Sequence, residues 1–300
     1  MQIIIQGSHK SSGTDMTPLT EKMKISCGQT FTYFEGGKGE TIFLIHGFPS
    51  PFSQDYILLS HLAESYHVVA VNLPGFNTSS TDTPPAMAQY SPEMYSSHLS
   101  AFIRSFGISR YALAGISLGG ILVLHLTQYL YPWKIILIET PLGGVYLSPK
   151  LLFRPAYVLL TQIYQRKKLR SLWYSALKNK IVQSLLFGVG APLSRTRRKN
   201  KKKTLDDFLG VQPEAVYQLM TSLYNSDFSS LCRSITVPTL LVVGEKDRLV
   251  SPRQHALVSA LIRDSHLVCI PGAEHWNTVN EHSCRIIHDF LGKPATAAGN

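Results

Sequence analysis

A serine stands between two glycines in Gly115-Ile116-Ser117-Leu118-Gly119. Here a short apolar run, 111–114, gives way to a stretch in which Ile121, Leu122, Leu124, His125 and Leu126 continue as a mainly apolar helix. Two readings are open. In the first, Ser117 is a nucleophile. A strand-to-helix turn that doubles back needs small neighbours, lifts the hydroxyl clear of a sheet and sets it beside the free N–H groups and positive dipole end of a helix. In the second, Ser117 is only a small residue in a tight turn. In a chain with 21 glycines the pentapeptide does not decide between them. A serine hydroxyl is a poor nucleophile at neutral pH, so the first reading also requires an imidazole to take its proton and a carboxylate to orient that imidazole.

The elements that must position such groups follow from the pattern of the chain. Stretches 23–26 and 29–35 read as a hairpin, 41–46 and 67–72 as buried strands, and 54–64 as the helix between them. A helix over 90–106, a strand over 110–114, a helix over 118–131 and a strand over 134–139 repeat the alternation. After Pro238 come a strand at 239–244, a helix after Pro252, a strand at 266–270 and a helix at 277–291. Strands alternating with helices predict an α/β fold, a mostly parallel β-sheet flanked by helices. Between Leu142 and Phe228 the alternation stops, and that stretch reads as an inserted helical segment. The expected organisation is an N-terminal tail at 1–22, a core at 23–141 and 229–292, a helical cap at 142–228 and a C-terminal tail at 293–300.

Length and composition agree with one large core. The chain has 300 residues, 44% of them hydrophobic. Four cysteines, Cys27, Cys232, Cys269 and Cys284, form no C-x-x-C pair and stand with no histidine cluster at metal-ligand spacing, so free thiols and a reducing compartment are expected. The opening residues carry only a three-residue apolar run and no basic region before it, which does not resemble a signal peptide. No apolar stretch is long and charge-free enough to span a bilayer. A soluble, cytoplasmic protein is expected.

In a parallel α/β sheet, reacting groups collect beyond the carboxyl ends of the strands. Three loops there carry candidates: "HGFPSP" at 46–51, "EKDRLVSP" at 245–252 and "PGAEHW" at 271–276. Together with the serine turn, these motifs resemble the α/β-hydrolase family, in its branch with an H-G-x-P motif and a helical cap. The resemblance runs from about Met23 to Leu291 and is weak in the insertion. It implies a triad in the chain order Ser117, Asp247, His275, as nucleophile, acid and base. It implies an oxyanion hole made by the backbone N–H groups of Phe48 and Leu118, with His46 and Gly47 shaping the first loop and Gly115 and Gly119 permitting the turn. Glu139, ending the strand before the insertion, is a rival acid, because some relatives place theirs there. Relatives that attack carbon in epoxides or carbon–halogen bonds use an aspartate where this chain has Ser117. "NLPGFNTSS" at 72–80 departs from the family's usual D-x-P-G-x-G-x-S, with Asn72 for the acid and Asn77 for a glycine. Asparagine tolerates positive φ, so Asn77 is a workable substitute.

The resemblance therefore implies a serine hydrolase that cleaves a carboxylic ester or related acyl compound through an acyl-enzyme, with no metal and no organic cofactor. A C–C bond hydrolase of the meta-cleavage type, or a catalytically silent relative binding an anionic partner, are the alternatives. The charge of the chain is uneven: 150–203 holds fifteen of the 29 Lys and Arg residues and none of the 19 Asp and Glu. Much of it lies in "QRKKLR" at 165–170, after the apolar "AYVLLTQIY", and in "SRTRRKNKKK" at 194–203. One reading is a solvated loop plus a helix whose Leu and Tyr face the core. The other is a face that meets anionic lipid or draws in an anionic substrate. Basic runs without interleaved aromatics do not argue for nucleic acid.

Overall fold

Cys27 and Gly28 both adopt positive φ, 49° and 73°, the two-residue turn whose twist suits a β-hairpin. It joins β1 (Thr20–Ser26) to β2 (Gln29–Gly36) in the computed structural model, which describes residues 18–48, 56–76, 90–141, 162–163, 166–177, 179, 210–275 and 277–292. The chain continues through β3 (Thr41–Ile45), α1 (Tyr56–Ala63), β4 (His67–Val71), α2 (Pro92–Arg104), β5 (Tyr111–Ile116), α3 (Leu118–Leu126) and β6 (Lys134–Ile138). After α4 (Lys167–Leu177), α5 (Pro213–Asn225) and α6 (Ser229–Arg233) come β7 (Thr239–Gly244), α7 (Pro252–Leu261), β8 (Ser265–Ile270) and α8 (Glu281–Gly292).

The eight strands form one sheet in the order β1-β2-β4-β3-β5-β6-β7-β8. β2 is antiparallel to both its neighbours, and every pairing from β4 onward is parallel. The period-2 alternation of the central strands divides the core. Phe43, Ile45, Leu113, Ile135 and Leu137 face one cluster with α2, α3 and α7. Ile42, Leu44, Ala112, Ala114, Ile136 and Ile138 face the other with α1 and α8. Apolar residues on both faces explain why these strands read as unbroken hydrophobic runs. Lys134, buried at the start of β6, donates from Nζ to the carbonyls of Phe290 (2.5 Å) and Leu291 (3.3 Å), placing a cation at the end of α8.

The alternation expected from sequence is present; β1 begins at Thr20, inside the stretch expected as an N-terminal tail, because its residues from Thr20 on pair with β2 as far as Glu35, and three further element ends differ for local reasons. α3, expected to reach 131, ends at Leu126: the N–H groups of Tyr129 and Leu130 both turn onto the Leu126 carbonyl, and Pro132 brings no N–H. α8 begins at Glu281 rather than 277, because Asn280 Oδ1 accepts from the N–H groups of His282 and Ser283 and caps the helix. β6 stops at Ile138 because Glu139 adopts φ 52°. Between β6 and β7, the described residues include α4 and α5, both helical as expected. Val211, Ala215, Leu219 and Leu223 bury themselves in the same cluster as Leu118 of α3. The run at 194–203 lies outside the described residues. No helix among the described residues is long and apolar enough to cross a membrane. None of the four cysteines is in a disulfide.

Candidate active site

The turn between β5 and α3 is built on close backbone approach. A Cβ at Gly115 would strike the Gly119 backbone, and one at Gly119 would strike the carbonyls of Ile45 and His46. Only glycine lets the first turn of α3 lie against the ends of β3 and β5. Ser117 sits at the apex with φ 50° and ψ −110°, a conformation that costs a non-glycine residue on the order of 1–3 kcal/mol. Its side chain does not cap α3. Its N–H donates to the Ile138 carbonyl at 2.7 Å, binding the turn to the end of β6. Gly120 was not singled out from the sequence, yet a Cβ there would collide with Thr140 Oγ1. The adjacent glycine pair is the signal that marks it.

Asp247 and His275 meet. His275 Nδ1 lies 2.7 Å from Asp247 Oδ2, with both side chains buried. Asp247 Oδ1 accepts from the N–H groups of Leu249 (2.8 Å) and Val250 (2.9 Å), so the carboxylate is fixed at both oxygens. The loops that carry the pair are stitched together. Lys246 N–H donates to the Ala273 carbonyl (2.7 Å), Gly272 N–H to Glu245 Oε2 (2.7 Å), and Glu274 N–H to Asn277 Oδ1 (2.5 Å). Glu139, also buried, brings Oε2 to 3.7 Å from His275 Nδ1. These three groups have ligand atoms within 4.8 Å of one another. An imidazole held against a carboxylate through Nδ1 keeps Nε2 available to accept a proton, so the cluster suits acid–base work.

The loop after β3 lies against the serine turn. A Cβ at Gly47 would come 3.1 Å from the Ile116 carbonyl and 3.4 Å from Ser117 Cβ. Phe48, next in the chain, packs edge-on against Phe76 with ring centroids 6.1 Å apart. His46 is wholly buried: its Nδ1 meets the Gly47 carbonyl at 2.8 Å and its Nε2 accepts from Leu73 N–H at 3.0 Å. It thus ties the "HGF" loop to the "NLPGF" loop rather than to His275. Asn72 takes a structural place, with its N–H on the Thr32 carbonyl and its amide on Thr32 Oγ1. Asn77 lies outside the described residues.

Two imidazoles in this region are held neutral. Burial pushes His46 down to about 4, against the opposing bond to the Gly47 carbonyl. Burial likewise pushes His255 down to about 4, with Asp247 and the Ser251 backbone opposing it. An unfolded histidine titrates near 6.5, so between that pH and about 4 the unfolded chain takes up protons that the folded chain refuses. Stability is therefore insensitive to these groups above pH 6.5. Below it, each imidazole is expected to cost about 1.4 kcal/mol per pH unit, up to roughly 3 kcal/mol. Urea midpoints measured from pH 7 to pH 4.5 check this. His255→Leu should flatten the decline by about one proton's slope, and an unchanged decline would contradict it.

The chain is similar to several known proteins. The protein named Epoxide hydrolase 4 of Mus musculus is 25% identical over 265 residues, covering 83% of this chain and 72% of its own length. Lipase 1 of Psychrobacter immobilis is 24% identical over 282 residues, covering 91% of this chain and 82% of its own. A solved thermophilic esterase from Thermogutta terrifontis superposes with a TM-score of 0.70 at 18% identity, covering 90% of this chain and 97% of the esterase, a likeness of fold. The model of the alpha/beta hydrolase family matches residues 42–286, a span that contains the serine turn, the loop after β3 and the Asp247–His275 pair. By strand order, by the placement of these groups at strand ends and by that match, the chain belongs to the alpha/beta hydrolase family.

Proposed function

We propose that the protein is a serine hydrolase that cleaves a carboxylic ester, or a related acyl compound, through an acyl-enzyme. The observation that carries this reading is the Asp247–His275 pair, 2.7 Å apart, at the carboxyl ends of strands parallel to the one that leads into a hydroxyl on a strained strand-to-helix turn. Ser117 Oγ attacks the carbonyl carbon while His275 Nε2 takes its proton, and Asp247 steadies the imidazolium that forms. The backbone N–H groups of Phe48 and Leu118 receive the oxyanion, the second lying in the first turn of α3, where donors have no partner within the helix. Collapse expels the alcohol, which leaves with the proton from His275. Water then attacks the acyl group, giving its proton to the same nitrogen, and the acid is released as Ser117 Oγ leaves and takes that proton back. No step calls for a metal or an organic cofactor.

The residue at the turn argues against epoxide opening despite the names of several relatives. A carboxylate that attacks an epoxide carbon forms an ester, which water can hydrolyse at its carbonyl. A serine that did so would form an alkyl ether, with no carbonyl for water to attack. Ser117 fits acyl transfer instead. We assign the insertion between β6 and β7 the role of a cap over the acyl pocket, supported by the burial of Val211, Ala215 and Leu219 in the same apolar cluster as Leu118.

Turnover of short p-nitrophenyl esters, with labelling by a serine-directed phosphonate, tests this reading. The expected result is ester hydrolysis and one phosphonyl group, located on Ser117 by peptide mass analysis. Failure of every ester together with an unlabelled Ser117 would remove it.

A further inference from the structure

α4 places four cations, Arg166, Lys167, Lys168 and Arg170, at or just before the start of a helix. That is the end whose dipole repels positive charge, and no acidic residue stands in the first turn to compensate. Arg166 and Lys168 are exposed, and among the described residues no carboxylate pairs with either. Beside them Leu169 is 39% exposed and Leu172 66% exposed. Three residues apart on a helix, the two leucines share a face. Among the described residues nothing rewards this arrangement: the charges oppose the helix dipole and the leucines stand in water. The sequence around α4 is basic too, and 150–203 contains no acidic residue at all.

We propose that α4 docks on an anionic phospholipid surface, with Leu169 and Leu172 entering the headgroup boundary and Arg166 and Lys168 meeting the lipid phosphates and carboxylates. An anionic bilayer answers both anomalies at once. Its negative potential attracts the cations gathered at the helix start, and its acyl boundary removes the leucines from water. A nucleic acid answers only the first, because a phosphate backbone offers nothing for two leucines. The proposal does not depend on the acyl-transfer reading.

The test is co-sedimentation of the full chain with vesicles of pure phosphatidylcholine and with an equimolar mixture of phosphatidylserine and phosphatidylcholine. Affinity for the anionic vesicles should exceed that for neutral ones by about tenfold or more, and should collapse near 1 M salt, where screening falls to about 3 Å. The pair R166E/K168E should lower anionic-vesicle affinity by about tenfold or more. The pair L169S/L172S should do the same at unchanged charge, by the loss of two apolar side chains from the boundary. All four positions are exposed, so thermal midpoints should match the parent chain. Equal binding to neutral and anionic vesicles overturns the proposal, and so does L169S/L172S binding like the parent. Displacement of the chain from vesicles by a short DNA duplex that L169S/L172S binds undiminished would make nucleic acid the partner and likewise overturn it.

Discussion

Ser117→Ala is expected to lower kcat for ester hydrolysis by about four orders of magnitude or more, with little change in KM. The acyl-enzyme cannot form without the hydroxyl, whereas the groups that hold substrate are untouched. The variant should fold. Alanine meets the same penalty as serine at φ 50°, and the Ser117 N–H bond to Ile138 is a backbone bond that survives the change. His275→Gln should lose a comparable factor, because the hydroxyl then has no base. The double variant should be no worse than either single one, since nucleophile and base act as a unit. Steady-state kinetics on a p-nitrophenyl ester, corrected for the reaction in water alone, measures all three. A Ser117→Ala enzyme keeping a tenth of parental kcat would mean that another group attacks the carbonyl, and strictly multiplicative losses would mean that Ser117 and His275 work apart.

The serine turn is legible in the sequence because its constraints are local. Gly115 and Gly119 are demanded by backbone contacts to their own turn and to the adjacent strand end, so they mark it in the sequence. The hairpin at Cys27–Gly28 is legible for the same reason, since its turn is two residues long. The sheet follows from periodicity, because each buried strand carries apolar residues on both faces. What lies outside the reach of sequence is a matter of contacts between distant segments. The distances from His275 to Asp247 and to Glu139 depend on how the ends of β6, β7 and β8 are staggered, and residues 139, 247 and 275 carry no mark of it. The turn of Glu139 into positive φ is of this kind too, since a lone glutamate after an apolar run looks like one more strand residue. The ends of α3 and α8 are set by pairs of local hydrogen bonds, donated to the Leu126 carbonyl and to Asn280 Oδ1, that compete with continued helix by small margins.

Two carboxylates face one imidazole nitrogen, and they are expected to contribute very unequally. Asp247 Oδ2, at 2.7 Å, accepts a charge-assisted bond from His275 Nδ1, while its other oxygen is clamped by Leu249 and Val250. Glu139 Oε2, at 3.7 Å, is beyond hydrogen-bond reach and acts on the imidazolium through its field alone. Asp247→Asn should therefore lower kcat/KM by about three to four orders of magnitude, because an amide can present an N–H to Nδ1 and favour the tautomer that leaves Nε2 protonated and useless as a base. Glu139→Gln keeps the shape of the site and removes only the more distant charge, so its loss should stay within about tenfold. Adding Glu139→Gln to Asp247→Asn should cost more than it does in the parent enzyme. With Asp247 neutralised, Glu139 is the one carboxylate of the cluster left to stabilise the imidazolium. The four kcat/KM values form a double-mutant cycle whose coupling measures that support. An inverted ranking, with Glu139→Gln the crippling change and Asp247→Asn the mild one, would give the orienting role to the carboxylate at the end of β6 and leave the 2.7 Å pair a structural clamp between the β7 and β8 loops.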